Sequence, residues 1–301
     1  MWGFKPPHYF KRMRGKMIWQ QLANGIAIGS VYALIALGLT MIYGVLRILH
    51  IAHAGIYVMG AYIGLLFYTL FNSLLISLIA AMVVCAFAGI LIQRYIYLPL
   101  LSSPRIVPLI ASIGLFTSME ELYRIIAGPY ILSFPAELPF GGVNLGVFKF
   151  TGCQLLVFLI TFSLLGILWT IISKTKIGLA MKATAQDSET ASTMGVNTNK
   201  VVAFTFLLGS ALAGAAGVLV GVYYNSVYPT MGSMPAYKAL AIIVLGGMGS
   251  IPGTVVGGLL LGIAETLLIG TVSIPLPRDS IAFIAMILIL MFRPYGLLGK
   301  K

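Results

Sequence analysis

Charge is what this sequence most lacks. Of 301 residues only 9% are charged and seven are acidic, whereas a soluble domain carries about 25% charged residues to solvate its surface. With 59% apolar residues and a mean hydropathy of +1.02, the deficit excludes a cytosolic enzyme, a secreted disulfide module and a disordered chain. Lipid is the solvent. Cysteine is scarce too. Cys85 and Cys153 lie in or beside apolar runs without CxxC or Cys/His spacing, which argues against a disulfide framework or a zinc site. A GxxxxGK[ST] phosphate loop is absent, so the chain binds no ATP by that route. The net charge of +12 does not read as a nucleic-acid footprint, because the nineteen basic residues gather at the ends of apolar runs, where they act as topology signals.

What is there is a series of apolar stretches. The first sixteen residues hold Lys5, Lys11, Arg12, Arg14 and Lys16, and residues 18–43 then run without an acidic or basic residue. At about 1.5 Å per residue this stretch reaches about 39 Å, enough to cross the hydrocarbon, whereas a cleavable signal core has about 7 to 15 residues. It reads as an uncleaved helix behind a basic cytoplasmic segment, residues 1–17. Residues 18–301 then form one transmembrane domain. Further stretches lie at 54–71, 73–93, 106–127, 154–173, 201–223, 237–270 and 281–293. Arg94 and Arg105 mark 94–105, Lys174, Lys176, Lys182 and Lys200 mark 174–200, and Arg293, Lys300 and Lys301 mark the C-terminus as cytoplasmic. The Gly- and Pro-rich stretch 128–152 reads as an external loop.

These assignments conflict in parity. Three full crossings between a cytoplasmic N-terminus and Arg94 would place Arg94 outside, so 54–71, short and interrupted by Gly55, Gly60 and Gly64, is expected not to cross fully. Downstream, 237–270 is expected to turn back, broken at Gly246, Gly247, Gly249, Pro252 and Gly253. The predicted fold class is therefore all-α: a polytopic helical membrane protein of about eight membrane segments, two of them short and discontinuous, as in inverted-repeat transporters.

Titratable residues are few. No catalytic dyad or triad stands out. His50 and His53 are three apart and can share a helical face, as a metal site or, the reading we favour, as polar lining at the mouth of a broken helix. Glu120, Glu121 and Arg124 are spaced to pair near an interface. Glu265 has no obvious helical partner. It is either a proton relay or, as we favour, a group packed against polar backbone at a helix junction. Between Lys174 and Lys200, the stretch Leu179 to Met194 is rich in helix formers and is broken by Gly195, which suggests a docking helix outside the membrane.

Four motifs carry a resemblance. The runs LANGIAIGSVYALIALGLTMIYGVLRILHIAHAGIYVMGAY (22–62), GLAMKATAQDSETASTMGVN (178–197), LGGMGSIPGTVVGGLLLGIAE (245–265) and FRPYGLLG (292–299) occur in order. In these the chain resembles the LivH-type permease subunits of bacterial branched-chain amino acid ABC importers. Where that family commonly shows Asn-Phe-Ala-His-Gly, this chain has His50, Ile51, Ala52, His53 and Ala54, with Arg47 nearby. The resemblance implies an inner-membrane permease with both termini cytoplasmic. It implies pairing with a homologous or identical second permease, two cytoplasmic ATPase subunits that hydrolyse the ATP, and an extracytoplasmic solute-binding protein. No cofactor is expected on this chain, and no nucleic acid among its partners. It further implies a substrate path at His50, His53, Ala54, Gly55, Gly246, Gly247, Gly249 and Gly253, with helix-end amides near Ala54 and Gly55 receiving a carboxylate. ATPase coupling falls to Gly178, Ala185, Asp187, Ala191 and Gly195, with Asp187 and Gly195 setting the ends of the coupling helix. Two rival classes remain from the residues: an ion-gradient-driven carrier of a small apolar solute dependent on Glu265, and a membrane scaffold, against which the patterned glycine breaks argue.

Overall fold

In lipid every backbone N–H and C=O must find its partner inside the protein, so long apolar runs become helices. A computed structural model of the chain describes residues 7–137, 141–144, 149–271, 277–293 and 295–299, with the backbone alone for 7–17, 144, 149, 271 and 278. In chain order its helices are α1 (Pro7–Leu46), α2 (His53–Phe71), α3 (Leu74–Ile92), α4 (Leu98–Leu100), α5 (Ile106–Ala127), α6 (Gly152–Lys174), α7 (Lys176–Gln186), α8 (Ser188–Thr193), α9 (Thr198–Tyr224), α10 (Ser233–Gly246), α11 (Ile251–Thr271) and α12 (Arg278–Phe292). A π-helical turn, Gln93–Tyr97, joins α3 to α4. A small antiparallel ladder pairs Val143–Asn144 with Lys149–Phe150 in the α5–α6 connection. Among the described residues seven helical runs are long and apolar enough to cross a membrane.

Local signals set the helix ends. Thr151 and Gln154 form a capping box at the start of α6, Asn197 accepts from the Lys200 amide to start α9, and Asn72 and Asn225 end α2 and α9 in the left-handed conformation. Between helices the contacts are backbone-close. A Cβ on Gly25 or Gly29 would stand 2.7 Å from Ile263 Cα or 2.9 Å from Leu259 Cα of α11, and Gly60 and Gly217 hold α2 against α9 in the same way. Small residues at such positions let helices associate where lipid offers no hydrophobic drive.

The pairing of α1 with α11 fixes the direction of the chain. Gly25 faces Ile263, Gly29 faces Leu259 and Gly44 faces Gly249, so the two helices are antiparallel. One end of the bundle gathers the C-terminal end of α1, the α7–α8 segment and residues 295–299: Arg47 Nη2 lies 3.5 Å from the carbonyls of Ala185 and Gln186, and Leu297 N donates to Leu245 O at 2.8 Å. The other end gathers the start of α1 and the α5–α6 connection, where Gln154 Nε2 donates to Asn24 Oδ1 at 2.8 Å and Leu132 bridges to Val227.

This placement corrects the expectation that 54–71 does not cross fully and, with it, the parity conflict. The start of α1 and residues 295–299 lie at opposite ends of the bundle. With α1 running toward the α7–α8 end, α2 returns and α3 comes back with Arg94, and no segment among the first three has to fold back. The stretch 54–71 accordingly lies within one continuous 19-residue helix, His53–Phe71, rather than being discontinuous. The chain leading into it, residues 47–52, does turn back within the bundle: Ile48, His50 and Ala52 are buried. The stretch 237–270 turns back as expected. Gly247 at φ +102°, a conformation that favours glycine, ends α10, and Gly253 then packs against Gly246 in the α10–α11 hairpin. Lys5, Lys300 and Lys301, and the side chains of Lys11, Arg12, Arg14 and Lys16, lie outside the described residues.

Candidate functional site

A lone charge at the bilayer centre costs about 2.5 to 3.5 kcal/mol on insertion scales, so a lysine and an acid in one apolar hairpin are driven together. Lys238 on α10 and Glu265 on α11 meet across the hairpin. Lys238 Nζ lies 2.9 Å from Glu265 Oε1 and 3.0 Å from Oε2, and the two residues are 6% and 1% exposed. The ammonium also donates to the Tyr32 hydroxyl on α1 at 2.8 Å, and that hydroxyl donates to Glu265 Oε2 at 3.0 Å. Asp279, in the first turn of α12, completes the set at 3.3 Å from Nζ, with its side chain 27% exposed.

The cluster borders a cavity of about 360 Å³. Tyr32 and Ile35 of α1, Tyr57 of α2, Val220 of α9, Met231 and Met234 form much of its wall beside Lys238 and Asp279. Tyr224, Ser226 and Tyr228 reach it from the C-terminal end of α9, so it sits toward the face opposite α7–α8. Tyr57 is fully buried, and its hydroxyl has no hydrogen-bond partner among the described residues.

The expected histidine site lies beneath this cavity. His53 Nε2 is 3.2 Å from the carbonyl of Ile35, a cavity residue, and the His50 and His53 rings are 5.8 Å apart. His50 Nδ1 meets the Tyr97 hydroxyl at 2.6 Å, and Phe206 packs against both rings. The π-helical turn carries Tyr97 inward, a device frequent at functional sites. Both histidines are buried and neither lines the cavity. The helix-end amides expected to receive a carboxylate are engaged already: Ala52 N donates to Ser112 Oγ, His53 N to His50 O and Ala54 N to Ile51 O. Gly55 is covered by Met119, and its carbonyl accepts from the Tyr123 hydroxyl. Gly246, Gly247, Gly249 and Gly253 gather in the α10–α11 hairpin at the α7–α8 end, against Tyr295, Gly299 and Gly44. The structure thus does not unite the glycine group with the histidine group.

On that end the predicted docking element is two helices, not one. Asp187 interrupts it: its Oδ1 accepts from the amides of Glu189 and Thr190 and its Oδ2 from the Thr190 hydroxyl, which makes it the N-cap of α8. The Thr190 hydroxyl, then its amide, hold the Asp187 carboxyl below its ordinary range. Gly178 tucks α7 under the Ile171 and Ile172 carbonyls, Ala191 is buried, and Gly195 at φ +86° terminates α8. Leu179 and Met194 remain 69% and 81% exposed, an apolar surface outside the membrane-crossing runs. Arg124 pairs with Glu121 at 2.8 Å and approaches Glu120 at 3.7 Å, as their spacing predicted.

Sequence reasoning missed Lys238, Tyr32 and Tyr57, and left Glu265 without its partner. A signal was present. The stretch 237–270 contains one lysine and one acid, and once it is folded into a hairpin the two must neutralise each other.

Residues 21–291 match the family described as branched-chain amino acid transport system / permease component. The chain is similar to the high-affinity branched-chain amino acid transport system permease protein BraD of Pseudomonas aeruginosa, 36% identical over 93% of this chain and 95% of that protein. It is likewise similar to LivH of Salmonella typhimurium, 35% identical over 93% and 95%, and to a probable LivH of Methanocaldococcus jannaschii, 28% identical over 96% and 94%. None of these matches favours the gradient-driven alternative.

Proposed function

The chain belongs to the branched-chain amino acid transport permease family, and on that premise we propose that it carries branched-chain or related amino acids across a bacterial inner membrane as the permease of an ABC importer. A second permease subunit, homologous or identical, completes the path. Two cytoplasmic ATPase subunits bind and hydrolyse the ATP, this chain holding no cofactor, and an extracytoplasmic binding protein delivers cargo. The observation that carries this reading is the α7–α8 segment, which offers Leu179 and Met194 to a partner and is tied to the core through Arg47.

That tie supplies a mechanism. Arg47 ends α1 in a left-handed conformation and reaches the carbonyl end of α7, so a displacement of α7–α8 is felt at residues 47–52. Those residues lead to His50 and His53, and His53 holds Ile35 on the cavity floor. Movement at the docking segment thereby reaches the cavity by a short path. The α10–α11 glycine hairpin lies beside it and allows the bundles to rock. In this orientation the α7–α8 face is cytoplasmic, where Arg47, Arg94, Arg105, Lys174, Lys176, Lys182, Lys200 and Arg293 outnumber the five N-terminal basic residues. The start of α1 then faces outward.

Uptake of labelled leucine, isoleucine and valine into vesicles containing the complete transporter tests the reading. Uptake that requires both ATP and the binding protein is expected; uptake by this chain alone on an ion gradient contradicts it. Orientation is checked separately by Trp19→Cys and Leu179→Cys labelled with an impermeant thiol reagent on intact cells. Labelling of the first and not the second is expected.

A further inference from the structure

We infer that the Lys238–Asp279 cavity is the transit site for the charged end of an amino-acid cargo, with the carboxylate taken by Lys238 and the Tyr57 hydroxyl and the ammonium by Asp279. The inference rests on the permease reading above and adds the site and the chemical group recognised. It stands on three observations that do not depend on one another. The first is the cavity itself, about 360 Å³ and within the roughly 300 to 1,000 Å³ of small-molecule pockets. The second is that its wall holds both signs of charge: Lys238 Nζ and Asp279 Oδ1 are 3.3 Å apart at its border. The third is the buried Tyr57 hydroxyl on the same wall, a donor with no partner among the described residues.

The two acids do different work. Glu265 grips Lys238 through both oxygens and is 1% exposed, so it holds the ammonium in place. Asp279 touches Lys238 by one longer contact and is partly exposed, so it can be drawn away. A zwitterion entering between Lys238 and Asp279 replaces one ion pair with two and leaves no charge uncompensated. Ile35, Val220, Met231 and Met234 then face the aliphatic side chain, and adaptable methionines accept side chains of differing shape. Without its carboxylate the cargo leaves Tyr57 unsatisfied; without its ammonium it leaves a carboxylate against a carboxylate.

The test uses the complete transporter in vesicles, with binding protein saturating. Lys238→Met paired with Glu265→Gln removes both buried charges, and co-purification with the ATPase partners establishes that the variant assembles. Leucine uptake is expected to fall about tenfold to a hundredfold in it, the range for losing a charged hydrogen bond, and to fall clearly in Asp279→Asn. A structural role for the pair predicts instead that the paired variant transports like the wild type. A second readout is the thermal stability of the permease–ATPase complex in nanodiscs without binding protein. Millimolar leucine is expected to raise it, 3-methylbutylamine and 4-methylpentanoate are not, and Asp279→Asn removes the leucine effect. No leucine effect on the wild type, equal effects of all three probes, or wild-type uptake in both variants overturns the site. Failure of wild-type vesicles to take up any branched-chain amino acid overturns the permease reading itself.

Discussion

Two buried polar clusters lie one above the other in this bundle, and they are opposites. The lower one, His50, His53 and Tyr97, is assembled from aromatic rings, is closed in by Phe206, and lines no part of the cavity above it. The upper one, Lys238, Glu265, Asp279 and Tyr32, is charged and stands at a cavity wall. Histidines draw the eye in an apolar sequence, yet here they serve packing and transmission. The lysine, unremarked in its apolar run, sits where a solute passes. Polarity inside a membrane marks function most strongly where it is both charged and solvent-adjacent, because only there does the cost of placing it bring a return in binding.

The comparison breaks first at Lys238. Lys238→Met leaves Glu265 a buried carboxylate without its ammonium, and a loss of about 3 to 5 kcal/mol in the stability of the purified complex is expected, largely recovered by adding Glu265→Gln. Thermal denaturation followed by helix content measures it, and a variant as stable as the wild type would deny the pairing. Next is Gly217→Leu, which drives a side chain into the Tyr57 carbonyl and separates α2 from α9 beneath the cavity; about 1 to 3 kcal/mol is expected, with lower yield of assembled transporter.

The lower cluster responds more weakly. Tyr97→Phe removes the hydroxyl that meets His50 Nδ1, and about 1 kcal/mol is expected, with leucine uptake per assembled complex close to wild type. A loss of uptake as large as that of the Lys238 and Glu265 pair would erase the distinction between the clusters. The smallest structural effect is at Asp187, exposed at the start of α8. Its carboxyl is held below the ordinary range by the Thr190 hydroxyl and the Thr190 and Glu189 amides, so its contribution to α8 is present above the unfolded carboxylate value and is lost as pH falls through the lower folded one. Asp187→Ala is expected to leave the membrane bundle intact and to weaken ATP-driven uptake, read as the ratio of uptake to ATP hydrolysed.

Much of this arrangement is legible in the sequence. The apolar runs, the glycine break at 246–253, the Glu120–Glu121–Arg124 pairing and the helical character of 179–194 with its stop at Gly195 each follow from composition and spacing. The direction of α1 does not. Lys5 before it and Lys11, Arg12, Arg14 and Lys16 within it are read as cytoplasmic by the positive-inside rule, but contacts of Gly25, Gly29 and Gly44 with α11 fix how α1 runs against the rest of the bundle, and backbone fit between helices leaves no charge signal. Asp187 and Gly195 do bound a helix, the short α8, but the alanine-rich run before Asp187 gives no sign that it folds as a separate helix, α7. The cavity was illegible for another reason: Tyr32, Tyr57, Lys238 and Asp279 come from four helices, and only the fold brings them to one wall.

The most direct measurement is leucine uptake by vesicles containing the complete transporter with the Lys238→Met and Glu265→Gln pair. The account predicts a variant that assembles with its ATPase partners and carries at most about a tenth of wild-type leucine. Wild-type uptake in the assembled variant would contradict it, and would reduce the charged cluster to a structural clasp between α10 and α11.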